Sequence, residues 1–105
     1  MQSGNTEKRK EIDLDFTGVK TLWELHERIR VAFDFPEWYG KNWSAFWDLL
    51  SEPRDETMVT VRGLKMLPGE LQPCGKKVIE LLERNKKWQA HWEPDPEEFN
   101  YIVLS

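Results

Sequence analysis

The chain has 105 residues, of which 39% are hydrophobic and 12% aromatic, so its apolar content suits one folded domain and is too high for a disordered chain. Its net charge of -4 argues against a nucleic-acid-binding protein, which normally presents a basic face. The single cysteine, Cys74, excludes an internal disulfide and a thiolate metal site. A single thiol of this kind is most simply interpreted as that of a cytoplasmic chain. No apolar run approaches the ~20 residues that cross a bilayer, so no membrane partner is expected. Residues 1–8 are predicted to be a flexible N-terminal tail, and residues 9–105 a single domain.

The first predicted elements are a strand and a helix. Apolar and acidic residues alternate from Ile12 to Phe16, which predicts a strand with one buried face. Thr21, with Glu24 three residues later, forms a capping-box pattern at the start of a helix. That helix should end before Pro36, because proline disfavours helical geometry at the residue before it. Its predicted buried face holds Leu22, Leu25, Ile29, Ala32 and Phe33.

The stretch from Pro36 to Leu50 contains three of the six tryptophans of the chain. Its first half is predicted to be a loop that ends at Gly40 or Lys41. Asn42 is a good N-cap, so a second helix is predicted to begin there. A loop and helix this aromatic hold more rings than the core needs, which indicates a surface made for contact. The apolar residues at helical spacing are Trp43, Phe46, Trp47 and Leu50, and of these Trp43, Phe46 and Leu50 are predicted to pack inward.

The second half of the chain continues the alternation of strands and helices. β-Branched residues at 57–61 predict a second strand, and a turn signal predicts one helical turn at 68–71. An amphipathic helix is predicted at 74–88, a break at 94–96 and a last strand at 99–104. Strands separated by helices imply crossover connections. The predicted fold is therefore an α/β, two-layer domain in which helices cover one face of a three-stranded parallel sheet.

Catalytic and metal-binding constellations are scarce in the sequence. His26 is interpreted as a buried, hydrogen-bonded residue, and His91 has no carboxylate at metal-ligand spacing. Cys74 opens a helix, where a lone cysteine usually has a packing role. No cofactor and no metal are expected. An enzyme that uses Asp48 with Glu37 or His26 is one hypothesis, but no second group is positioned beside them for acid-base chemistry.

Acidic residues concentrate in the middle of the chain. Residues 34–56 contain six acids and two bases, which matches the net charge of the whole chain, -4. This segment is either a solvated acidic face or an electrostatic attractor for a cationic cleft. Asp48 and Glu52 are predicted to form an i, i+4 pair on one helix face.

Two runs of residues carry a resemblance to a known family: PEWYGKN at 36–42 and AFWDLL at 45–50. Together they resemble the signature of the barstar family, intracellular inhibitors of the ribonuclease barnase. The likeness extends over residues 12–105, with an apparent insertion at 91–98. It implies the same three-stranded parallel sheet that the alternation of elements predicts.

The resemblance also implies a binding site, because in that family the second helix and its preceding loop block the active site of the ribonuclease. Asp48 stands at the dominant acid of the family, which mimics the charge of a substrate phosphate. Trp38 stands at an aromatic residue that packs on the catalytic groups, while Gly40 and Asn42 shape the loop. The predicted partner-binding residues are Trp38, Gly40, Asn42, Trp43, Ser44, Trp47, Asp48, Glu52 and Glu83.

Several positions depart from the family pattern. Ser44 and Lys41 stand where the inhibitor has acids, and Pro53 stands where it has a tryptophan. A contributing glutamate of the family aligns with Arg84 or, if the register slips by one, with Glu83. The acid set is therefore thinner, which favours a ribonuclease other than barnase as the target.

The function that the resemblance implies is that of a bacterial, cytoplasmic inhibitor rather than an enzyme. It would be an immunity protein or antitoxin, monomeric when free, which occludes the active site of a basic secreted ribonuclease or a related nuclease toxin. The alternative is a barstar-like acidic module that binds a non-ribonuclease toxin or another cationic protein.

Overall fold

Three parallel strands form one sheet, as the sequence predicts, and they lie side by side in their sequence order. The structure is a computed structural model that describes residues 10–52, 56–92 and 99–104. The strands are β1 (Lys10–Asp15), β2 (Thr57–Arg62) and β3 (Phe99–Val103), and the helices are α1 (Leu22–Phe33), α2 (Trp43–Leu50) and α3 (Gln72–Trp92). Helices α1 and α2 connect β1 to β2, and α3 precedes β3.

The sheet has one buried and one open face, which makes the domain two-layered. Period-two alternation in β1 turns its apolar residues into the core, while its acidic residues stay exposed. On the open face the Asp13 carboxylate pairs with Arg62 of the neighbouring strand at 2.9 Å. The buried strand residues are Ile12, Leu14, Val59, Val61 and Phe99, and all three helices contribute apolar residues to the same core.

The N-cap of α1 is Thr21, as predicted, but the second hydrogen bond of the capping box has a different donor from the predicted one. Thr21 Oγ1 accepts a hydrogen bond from the backbone N–H of Glu24 at 3.1 Å. The Glu24 carboxylate accepts from the N–H of Lys20 at 2.7 Å, one residue before the predicted donor. The prediction that Leu22 is buried is wrong, since its side chain is 43% exposed. The buried face of α1 begins at Leu25, so the first turn of the helix lies outside the core.

Helix α3 is longer at both ends than the predicted 74–88. Pro73 lies in its first turn, where the missing N–H would have no partner within the helix. Before α3, the turn predicted at 68–71 is a 3₁₀ turn at Gly69–Leu71, and a second one at Leu64–Met66 was not predicted. Several predictions lie outside the described residues: the tail at 1–8, the role of Pro53, the break at 94–96 and most of the insertion at 91–98, as does the side chain of His91.

Candidate protein-binding site

The loop before α2 is anchored on α1 through a buried tyrosine. Tyr39 is 3% exposed, and its hydroxyl lies 2.7 Å from Nδ1 of His26, with which it shares a hydrogen bond. Burial, with a smaller contribution from the charge of Lys41, lowers the pKa of His26 to about 4. The imidazole is therefore neutral near pH 7. This confirms that His26 is a buried, hydrogen-bonded residue.

The last residue of the loop is fixed to α1 by charge. Lys41 adopts a left-handed backbone conformation with φ 53°, and its Nζ lies 3.3 Å from the Glu27 carboxylate. The same ammonium lies 5.1 Å from the ring centroid of Trp23. Arg30 binds the Glu27 carboxylate at 2.8 Å, and this hydrogen bond together with Lys41 lowers the pKa of Glu27 to about 2. Lys41 thus holds the loop against α1.

Asn42 and Gly40 shape the junction between the loop and α2. Asn42 Oδ1 accepts from the N–H of Ala45 at 2.8 Å, which confirms the predicted N-cap. Its Nδ2 donates to the carbonyl of Gly40 at 3.2 Å. A Cβ at position 40 would lie 3.0 Å from that Nδ2, so glycine leaves space for the capping side chain. The polar atoms of Asn42 are therefore used within the loop.

Helix α2 presents one side to the core and the other to solvent. Phe46 and Leu50 are fully buried, as predicted. Trp43 is only half-buried, and its ring packs 4.7 Å from the ring of His26. Ser44 and Asp48 are exposed on the opposite side. In the loop, Trp38 is 74% exposed, so its indole is available for contact.

A cleft of about 250 Å³ separates α2 from α3. Three of its lining residues, Lys77, Leu81 and Arg84, are absent from the predicted site, although Arg84 is the alternative to Glu83 in the likeness to the family. They follow the i, i+4, i+7 spacing of one helix face, a signal that the sequence contained. The guanidinium of Arg84 lies 5.7 Å from the ring centroid of Trp47. The cleft is lined by Trp43, Ser44, Trp47 and Asp48 from α2 and by Lys77, Leu81 and Arg84 from α3.

Five of the nine predicted site residues do not line this cleft. Trp38, Gly40 and Asn42 belong to the loop before α2 and its N-cap, and the other two are Glu83 and Glu52. Glu83 accepts a hydrogen bond from the Tyr101 hydroxyl at 2.7 Å, which lowers the pKa of the carboxyl group. Burial of the phenol and this contact raise the pKa of Tyr101 to about 12. Glu52 follows α2, which ends at Leu50, so the prediction that it shares a helix face with Asp48 is wrong. Pro53 comes next in the sequence and disfavours helical geometry at Glu52.

Metal-ligating clusters and membrane-spanning helices are both missing from the described part of the chain. Among them, no group of three His, Cys, Asp or Glu side chains is placed to hold a metal ion. No described helix has the length and hydropathy needed to cross a membrane. Asp48 is exposed on α2, whereas His26 is buried in its hydrogen bond with Tyr39.

The fold and the site define a small α/β protein with an aromatic and charged surface on one helix and its preceding loop. Comparison with protein-family models matches residues 9–103 to the family described as Barstar (barnase inhibitor). The chain therefore belongs to the barstar family, as its sequence signature predicts. The family is one of inhibitors rather than enzymes, and it implies a ribonuclease as the binding partner. No curated protein sequence matches the chain.

Proposed function

We propose that the chain is a cytoplasmic immunity protein that inhibits a basic secreted ribonuclease by inserting α2 and the loop at 36–41 into its active site. The observation that carries this proposal is the exposure of Asp48 and Trp38 on a segment whose other side is fixed to α1. Family membership supports the same class of target.

The mechanism is occlusion without turnover. The Asp48 carboxylate lies on a helix and can take the place of a substrate phosphate in a cluster of arginine and lysine side chains, through charge-assisted hydrogen bonds. Trp38 supplies an exposed aromatic anchor of the kind that carries much of the binding energy in protein interfaces. Because the loop is already held by Tyr39 and Lys41, little conformational freedom is lost on binding.

A titration of RNA cleavage tests the proposal. The purified chain is added to barnase and to a panel of small basic secreted ribonucleases. We expect stoichiometric inhibition of at least one of them, and an affinity that falls as salt is raised, because the attraction between the two proteins is electrostatic. The absence of inhibition across the panel would contradict the proposal.

A second candidate is a barstar-like module with a target other than a ribonuclease. Ser44 and Arg84 favour it, because they make the surface less acidic than the family pattern requires. Tight binding to a basic toxin without nuclease activity, together with no inhibition in the ribonuclease panel, would select this candidate.

A further inference from the structure

The two walls of the cleft carry opposite charge. On the α2 wall, Asp48 supplies a carboxylate beside the hydroxyl of Ser44. On the α3 wall, Lys77 and Arg84 lie seven residues apart, which separates them by about 10 Å along one helix face. Trp43 and Trp47 of α2 and Leu81 of α3 add apolar surface to the lining.

The charges of the cleft are available to a ligand. Within the described ranges, no carboxylate lies within ion-pair distance of Arg84, whose guanidinium rests over Trp47. Asp48 likewise has no ion pair within 10–52, 56–92 and 99–104. The side chain of Lys77 is 39% exposed, but its ammonium already lies 3.5 Å from the carboxylate of Glu80. Because Arg84 makes no such pair, it is the main cationic group that a ligand meets in this cleft.

The geometry points to a partner segment that carries a basic and an acidic side chain next to each other. The partner's basic side chain pairs with Asp48 of this chain, and its acidic side chain pairs with Arg84. A purely basic segment would place a cation against Arg84, and like charges in contact lower affinity. A carboxylate at that place gains a bidentate pair with the guanidinium. Arg84 is thereby a specificity-determining residue. This inference deepens the proposed function and rests on it for the identity of the partner.

Charge reversal on α3 tests the inference with the inhibited ribonuclease. Arg84→Glu should raise the Kd about tenfold, because it turns an attraction for the partner's acid into a repulsion. Lys77→Glu should raise it about threefold, since Lys77 already pairs with Glu80. Lys76→Glu is the matched control: it makes the same charge change on α3 outside the cleft, so the Kd should stay within about twofold. An Arg84→Glu variant that binds as well as the wild type or better would overturn the inference.

A second measurement needs no ribonuclease. The dipeptides Ac-Arg-Glu-NH2 and Ac-Arg-Gln-NH2 are titrated into the isotope-labelled chain, and the indole N–H signal of Trp47 is followed by NMR. The glutamate peptide should bind at least about threefold more tightly, and Arg84→Glu should abolish the preference. Equal responses to the two peptides would overturn the inference. If the ribonuclease panel shows no inhibition, the proposed function fails. The peptide comparison alone then decides whether the cleft prefers a ligand that carries both a base and an acid.

Discussion

The two sides of the loop and α2 segment use charged and polar groups in opposite ways. Toward α1, the groups are satisfied within the protein: Tyr39 bonds to His26, and Lys41 pairs with Glu27. Toward α3, Asp48 and Arg84 make no ion pair among the described residues and remain open to a ligand. The first side fixes the position of the segment, and the second leaves its charges free for a partner. A binding surface needs both, because affinity depends on preorganisation as well as on contacts.

The largest effect is expected from removing the acid on the open side. Asp48→Ala should weaken inhibition of the target ribonuclease at least about 100-fold, or roughly 3 kcal/mol, since a charged anchor in a desolvated site is a hot spot. Its free energy of unfolding should change by less than about 0.5 kcal/mol, because the side chain is exposed. Inhibition assays and urea unfolding measure the two quantities.

The matched control for Asp48→Ala is Glu70→Ala. Glu70 is exposed on a 3₁₀ turn and is not among the residues that line the cleft, so its loss should leave inhibition almost unchanged. If Asp48→Ala unfolds the protein, Asp48 is a structural residue and the site assignment is wrong.

The side of the segment that faces α1 should lose its stabilisation as the pH falls, because it is bonded to the buried His26 of α1. Because burial lowers the pKa of His26 from 6.5 to about 4, the unfolded chain binds the proton before the folded protein does. The stabilisation is complete above pH 6.5 and is lost as the pH falls to 4, by on the order of 2 to 3 kcal/mol. Urea unfolding of wild type and His26→Gln at pH 7, 5.5 and 4.5 checks this. The difference in the free energy of unfolding between wild type and His26→Gln should narrow as the pH falls. Parallel pH curves for the two proteins would contradict the prediction.

Removing one hydroxyl tests the anchor of the loop. Tyr39→Phe leaves Nδ1 of His26 buried without its partner, which should destabilise the fold by about 1 to 2 kcal/mol. Tyr101→Phe is the matched control: it removes a hydrogen bond to the more exposed Glu83, and its loss of stability should be smaller. The comparison is made by chemical denaturation. An equal loss in the two variants would mean that the Tyr39 contact has no special weight.

The smallest effect is expected at the ion pair that fixes the end of the loop. Glu27→Gln frees Lys41, so inhibition should weaken by threefold or less through the loss of preorganisation. Asp13→Asn, which removes a carboxylate from the exposed pair with Arg62 on the sheet, serves as the control and should not weaken inhibition. The effect of Glu27→Gln should shrink at high salt, and a tenfold loss would show that Glu27 itself contacts the partner.

Much of the fold follows from short-range patterns. The Thr21 and Asn42 caps each depend on a hydrogen bond to a residue three positions later, so the sequence contains both partners. The strands follow from period-two alternation, and their separation by helices implies a parallel sheet. The main local error was Glu52, which was assigned to a helix that ends before it.

The site was only partly predictable. The family signature indicated Trp38 and Asp48, and the structure places both on the exposed side of one segment. The predicted site lacks the α3 wall of the cleft, of which the likeness to the family indicates only Arg84, as the alternative to Glu83, although Lys77, Leu81 and Arg84 follow a regular helix face. Nothing in the local sequence says which face of α3 meets α2.

The sequence by itself determined the α/β alternation and the two N-caps, and its family signature indicated Asp48 as the acid of the proposed binding site. Only the tertiary structure decided that Lys41 turns back onto α1 and that Arg84 lies over Trp47 beside Asp48. Local patterns depend on residues three or four positions apart. The charge pattern of the cleft instead depends on how two helices distant in sequence pack on the same sheet.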